Sequence, residues 1–165
     1  MKAAMIAVSF LCIATAALAD SPDSSFLKSA AEGGMSEVEL GQLAQQKASN
    51  PAVQGFGAMM VRDHTAANAK LKALAASEQV SLPEGPSLVQ KASKTRLTML
   101  SGDSFDKSYV KDMIDDHKDD IEEFQKEISD GKDPQAKAFA SATLPTLQLH
   151  LKRIESIATS AGIKE

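Results

Sequence analysis

The sequence predicts an all-α protein, a four-helix bundle of two helical hairpins joined by a long connection that carries a short extra helix. Three observations predict it. Beyond the first nineteen residues, apolar positions recur at spacings of three and four almost throughout. Gly and Pro gather at a few breaks. The two halves also resemble each other: Ser25-Phe26-Leu27-Lys28-Ser29 is echoed by Ser104-Phe105-Asp106-Lys107-Ser108, and Asn50-Pro51 with Phe56 by Asp133-Pro134 with Phe139.

The first helix is expected from about Ser24 to Ala48, and Asn50-Pro51 supplies an N-cap and first-turn proline for the second, which runs to about Glu78. A connection from Gln79 to Ser87 contains Pro83, Gly85 and Pro86, and a short helix from Leu88 to Leu100 follows it. Ser101-Gly102-Asp103-Ser104 restarts the chain into a helix ending near Asp130, and Gly131-Lys132-Asp133-Pro134 turns into the last, which ends near Gly162. Two positions strain this scheme. Pro145 should kink the last helix or mark a bulge, and Gly33-Gly34 weakens the first by roughly 1 kcal/mol per glycine unless close packing requires them.

Residues 1–19 hold one positive charge at Lys2, an apolar run from Ala3 to Leu18, and the small-x-small sequence Ala17-Leu18-Ala19 before Asp20, the pattern of a secretory signal peptide. Cleavage after Ala19 leaves residues 20–165 as one domain in the periplasm. The single cysteine, Cys12, lies in the removed segment, so the core rather than disulfides must stabilise the mature chain. No second apolar run is long enough to span a membrane, and helical spacing argues against a β-barrel. The formal charge is −4, or −5 without Lys2, with few aromatics, which gives no electrostatic case for nucleic acid.

The three histidines of the chain each fall on the apolar face of a different long helix. His64 lies in the stripe Val53, Phe56, Met60, His64, Ala67, Leu71, Leu74; His117 in Val110, Met113, His117, Ile121, Phe124, Ile128; His150 in Phe139, Thr143, Leu147, His150, Ile154, Ile157. Glu37 continues the line Phe26, Ala30, Gly33, Glu37, Leu40, Ala44, whereas Glu39 points about 200° away. At about 1.5 Å rise per residue, Glu37 and His64 lie roughly 20 Å from the first turn, and His117 and His150 roughly 24 Å from the second. If the hairpins pack with their turns at the same end, one carboxylate and three imidazoles meet at mid-bundle, which is how bundle metal sites are built.

Glu37, His64, His117 and His150 are therefore the candidate ligands of one metal ion, with Zn, Cu or Fe all compatible with the donor set. Asp120 and Asn68, each one turn beyond a histidine, are candidate partners for an imidazole N–H. Met60 and Met113, one turn before a histidine, read as core filling, although thioethers also suit Cu⁺. The competing reading is a buried polar network that only fixes the packing of the helices, the commoner fate of an inward histidine. The run Asp115 to Glu123 reads mainly as a solvated face supported by Lys118 and Lys126. There is no cysteine nucleophile, Gly-x-Ser-x-Gly elbow, phosphate loop or His-Glu-x-x-His, so no catalytic residues are assigned.

Gly33-Gly34-Met35-Ser36-Glu37-Val38-Glu39-Leu40-Gly41, Ala48-Ser49-Asn50-Pro51, Met60-Val61-Arg62-Asp63-His64, Phe105-Asp106 through Asp116-His117, and Leu144-Pro145-Thr146-Leu147 through His150 resemble a family of exported bacterial ferritin-like proteins. That family is catalogued as a domain of unknown function and often labelled outer membrane protein. The resemblance implies a ferritin-like bundle in a Gram-negative cell envelope, peripheral to the outer membrane at most. The chain departs from the di-iron pattern, because Val61, Ile114 and Leu147 stand where Glu-x-x-His would place glutamates, so a di-iron centre is not expected. The expectation is a periplasmic binding or envelope stress-protective module with a mononuclear metal site. A metal-dependent redox or hydrolytic enzyme and a purely structural or interaction protein are the alternatives.

Overall fold

Three of the four long helices open on the same local chemistry, a capping side chain followed by proline. Ser21 accepts from Ser24 N ahead of Pro22, Asn50 from Ala52 N ahead of Pro51, and Asp133 from Gln135 N and Ala136 N ahead of Pro134. The computed structural model describes residues 21–163, so the expected signal segment 1–19 lies outside the described residues. Within them are five helices and no strand: α1 (Pro22–Lys47), α2 (Pro51–Ser77), α3 (Leu88–Thr98), α4 (Gly102–Asp130) and α5 (Pro134–Ala161). Ser87 and Gln90 form a reciprocal capping box at the start of α3. Gly162, left-handed at φ 64°, ends α5, where a side chain would be strained. Pro145, the expected site of a kink or bulge, lies inside α5, which continues through it.

α1 packs along α2 and α4 along α5, and the two hairpins meet through α1 against α4 and α2 against α5, with α3 beside α1 and α4. Two carboxylates fix the relative direction of the hairpins. Asp106, near the start of α4, accepts from Ser49 N (3.1 Å) and Asn50 N (2.9 Å) in the α1–α2 turn. Asp23, near the start of α1, accepts from Lys132 N (2.6 Å) and Asp133 N (2.9 Å) in the α4–α5 turn. The two turns therefore lie at opposite ends, which corrects the expectation that they share one. The cause is the connection between the hairpins, which returns the chain along the length of α2 and so starts α4 parallel to it. The histidines nevertheless converge, because each sits near the middle of its helix and mid-height is the same from either end.

Apolar residues gather into two clusters. One holds Phe56, Met60, Phe105, Tyr109, Met113 and Ile154 with their neighbours towards the α1–α2 turn. The other holds Phe26, Leu27, Leu71, Phe124, Ala136 and Leu147 towards the α4–α5 turn. Glu37 and the three histidines are also buried but belong to neither cluster, so a polar layer divides the core. Met60 and Met113 are fully buried members of the first cluster, as expected of core filling.

Candidate metal centre

Each of four helices contributes one polar side chain to this layer: Glu37 from α1, His64 from α2, His117 from α4 and His150 from α5, all at most 5 % exposed. His64 Nδ1 lies 2.8 Å from Glu37 Oε2, and His117 Nε2 lies 3.4 Å from Glu37 Oε1. His117 Nε2 is also 3.4 Å from His150 Nδ1. One ligand nitrogen from each of the three histidines can be chosen so that all lie within 4.8 Å of one another. All four residues singled out in the sequence thus come together, while Glu39 turns outward to Lys94 at 2.9 Å.

The outward nitrogens identify the tautomers. His117 Nδ1 is 2.9 Å from the Met113 carbonyl oxygen, which can only accept, so Nδ1 carries the proton and Nε2 presents a lone pair. His150 Nε2 is 3.0 Å from Asp63 Oδ2, so in the same way its Nδ1 presents a lone pair inward. The Arg62 hydrogen bond, outweighing partial burial, holds the Asp63 carboxyl below its usual range, so that it accepts as a carboxylate. The 3.4 Å approach of His117 Nε2 to His150 Nδ1 is consequently a meeting of two acceptors. Glu37 Oε2 pairs with His64 Nδ1 at 2.8 Å, Glu37 Oε1 is approached by His117 Nε2 at 3.4 Å without a hydrogen bond, and His64 Nε2 is buried with no hydrogen-bond partner.

Charge is distributed unevenly among the four groups. Burial pushes His150 down to about 4, more than its bond to Asp63 restores. Burial also lowers His117, against the pull of Glu37. Burial acts on His64 in the same sense, but the adjacent Glu37 carboxylate outweighs it and leaves that imidazole above its ordinary value. Glu37 itself, which burial would raise, is held down by His64 and then His117. At neutral pH the layer therefore holds an ionised Glu37 and neutral His117 and His150, the states that metal ligation requires, while His64 ligates only on giving up the proton that Glu37 favours.

Asp63 was not singled out in the sequence. The partners sought for the imidazole N–H groups were Asn68 and Asp120, one turn along the same helices, and the structure corrects both. The His117 proton goes to the backbone of its own helix, and that of His150 crosses from α5 to α2. Asn68 instead packs against Gly34, where a Cβ would stand 2.1 Å from its Oδ1 and would turn that amide aside. The available signal was the Arg62-Asp63-His64 order, which places a carboxylate on the flank of α2 beside its inward histidine.

A family model described as Domain of unknown function (DUF4142) matches residues 12–157. Among solved structures, the fold is similar to that of a DUF305 protein from Streptomyces coelicolor described as secreted, at 12% identity and a TM-score of 0.74 over 88% of this chain and 96% of that one. It is similar also to a DUF305 fragment from Deinococcus radiodurans, at 11% identity and a TM-score of 0.75 over 86% of this chain and 98% of that one. CopM in its Cu(I)-bound form shares 14% identity with a TM-score of 0.70, over 86% of this chain and 98% of that one. At such identities the likeness is one of fold. No curated protein sequence matches this chain.

Proposed function

We propose that this chain, which belongs to the DUF4142 family of domains of unknown function, is an exported ferritin-like four-helix bundle that binds one transition-metal ion through Glu37, His64, His117 and His150. The observation that carries this reading is the inward convergence of acceptors: His117 Nε2 meets His150 Nδ1 and Glu37 Oε1, each at 3.4 Å with no donor between them, and His64 Nδ1, 2.8 Å from Glu37 Oε2, is the one donor against the carboxylate. A polar network that served only to fix packing would alternate donors with acceptors, whereas a cation satisfies several lone pairs at once. The spacing also suits it, since a tetrahedron of bonds about 2.0–2.1 Å long has edges of about 3.4 Å. The His117 Nε2 distances to His150 Nδ1 and to Glu37 Oε1 are both 3.4 Å.

Three imidazoles and a carboxylate accept Cu²⁺ and Zn²⁺, with Cu²⁺ the tighter on ligand-field grounds. CopM, similar in fold, is described in Cu(I)-, Cu(II)- and Ag-bound forms, which supports copper as the first ion to test. The three imidazoles are walled off, since the open cleft that borders Glu37 beside α4 is lined by none of them. A void of about 20 Å³ borders Glu37 and His64, enough for one water and not for an organic substrate. This favours sequestration in the cell envelope over turnover. Export rests on residues 1–19, and no described helix is long and apolar enough to cross a membrane.

Metal-stripped protein is titrated with Cu²⁺, Zn²⁺ and Fe²⁺ while its melting temperature is followed, beside a His64→Ala, His117→Ala variant. An ion held only by the folded state at 100 times its Kd adds about 2.7 kcal/mol, and the variant is expected to lose that gain. No rise with any ion would refute the reading. Asp63→Asn keeps a neutral acceptor beside His150 but removes the charge that orients and enriches the imidazole. It is expected to weaken metal affinity about 10–100-fold in isothermal calorimetry while leaving the metal-free melting temperature little changed.

A further inference from the structure

The long connection leaves α2 through Gln79, left-handed at φ 58°, and Val80 N closes on the Ala75 carbonyl oxygen at 2.8 Å, which turns the chain back over the groove between α1 and α2. Leu82 and Pro83 of the connection do not fill that groove, and a cavity of about 540 Å³ remains beside them. Ala31 and Met35 of α1 and Leu71 and Ala75 of α2 complete its apolar wall. Small-molecule sites are cavities of about 300–1,000 Å³ with apolar walls and a few polar groups. The polar groups here are Asn68, Lys72 and Glu84. Asn68 and Lys72 stand one turn apart on the same face of α2. The half-buried Asn68 amide lies with Oδ1 nearest Gly34 and Nδ2 further out, 2.1 Å and 3.2 Å from where a Cβ on that glycine would be. Neither this amide nor the Lys72 ammonium has a hydrogen-bond or ion-pair partner among the described residues.

We propose that this cavity binds an aliphatic monocarboxylate of medium chain length, its hydrocarbon chain against Met35, Leu71 and Leu82 and its carboxylate at Asn68 Nδ2 and Lys72 Nζ. An apolar wall leaves the hydroxyls of a sugar or other polyol unpaired, so the body of the ligand is hydrocarbon, and each methylene withdrawn from water raises affinity about fourfold. The two partnerless donors on α2 set the sign of the head group, because one carboxylate accepts from both an amide N–H and an ammonium. Glu84, exposed on the connection, disfavours a ligand with a second negative charge. The cavity wall includes none of Glu37, His64, His117 and His150, and the proposal does not rest on metal binding there.

Decanoate below its micelle concentration is the probe, with hexanoate and octanoate as shorter members and decanol and decylamine as uncharged and cationic counterparts. Backbone amide shifts in isotope-labelled protein read the place of binding, and isothermal calorimetry the affinity. Decanoate is expected to shift the amides of Met35, Leu71, Ala75 and Leu82, to bind more tightly than either counterpart, and to gain about fourfold per methylene over the shorter acids. Lys72→Gln, at an exposed position, is expected to weaken decanoate about two- to fivefold and to leave decanol unchanged. Ala76→Phe, which fills the mouth of the cavity, is expected to weaken decanoate and decanol alike, circular dichroism establishing that both variants are folded. No shift with decanoate, shifts scattered over the surface, affinity indifferent to chain length, decanol or decylamine bound as tightly as decanoate, or decanoate bound equally by Lys72→Gln would each overturn the proposal. Failure of the imidazole centre is read separately, from the Cu²⁺ and Zn²⁺ melting experiment.

Discussion

Metal-free protein is expected to lose about 3 kcal/mol of stability between pH 6.5 and pH 4 through His150 alone. Its folded value of about 4 lies below the ordinary 6.5 because burial disfavours the cation. A depressed histidine stabilises fully above the unfolded value, where neither state holds the proton. As the pH falls through 6.5 the unfolded chain binds a proton that the native layer refuses, and the loss is complete once the folded group titrates near 4. His117, lowered also by burial, acts in the same direction. His64, raised by Glu37, acts oppositely and is stabilising towards low pH, while the lowered Glu37 gives up its contribution only below its ordinary 4.5. Urea unfolding at pH 7.0, 5.5 and 4.5 measures the net slope. His150→Gln is expected to flatten it, and an unchanged slope in that variant would show that this imidazole is not the acid-sensitive group. Because a metal ion competes for the same lone pairs, the loaded protein is expected to be steeper over this range.

Gly57→Ala is expected to destabilise the fold by about 2–3 kcal/mol, a fall in melting temperature of about 5–10 °C for a domain of this size. Alanine is the better helix former by about 1 kcal/mol, and at most helical positions the substitution would stabilise. At residue 57 an added Cβ would stand 2.6 Å from the Gly41 carbonyl oxygen and 2.8 Å from Ala44 Cβ. The first of these is backbone, which yields only if α1 and α2 separate. Gly41 is the reciprocal half of this crossing, its own Cβ falling 2.6 Å from the Gly57 carbonyl. Gly55, on the same helix, has nothing within 4 Å, and Gly55→Ala is expected to raise stability by up to about 1 kcal/mol. Calorimetry of the pair separates packing from propensity, and equal effects at the two positions would refute the close crossing.

The sequence was most legible where one residue decides one local event. Asn50-Pro51 and Asp133-Pro134 mark helix starts because a cap and a fixed φ act within a single turn. His64, His117 and His150 could be placed inside because helical periodicity fixes direction. What could not be read were contacts set by which helices become neighbours. The Asp63 bond to His150 spans 87 residues and depends on α2 meeting α5. Gly41 and Gly57 carry no local sign of their crossing, whereas the adjacent pair Gly33-Gly34 stands out in the sequence, and of that pair only Gly34 is tightly packed. The direction of the second hairpin was misread because similar halves suggest turns at a common end, whereas the long connection requires the opposite.

The exchange of Asp106 and Asp23 between hairpins bears on how the chain acquires its shape. The turn at Ser49-Asn50 satisfies its amides with a carboxylate that arrives 56 or 57 residues later, and the turn at Lys132-Asp133 with one made 109 or 110 residues earlier. Each helical pair is thus completed by the other, so an isolated half would fray at the very corner that defines it. The protein is built to assemble in one concerted event, and amide exchange at both corners should proceed only through global unfolding, at the rate of the central core rather than that of a surface loop.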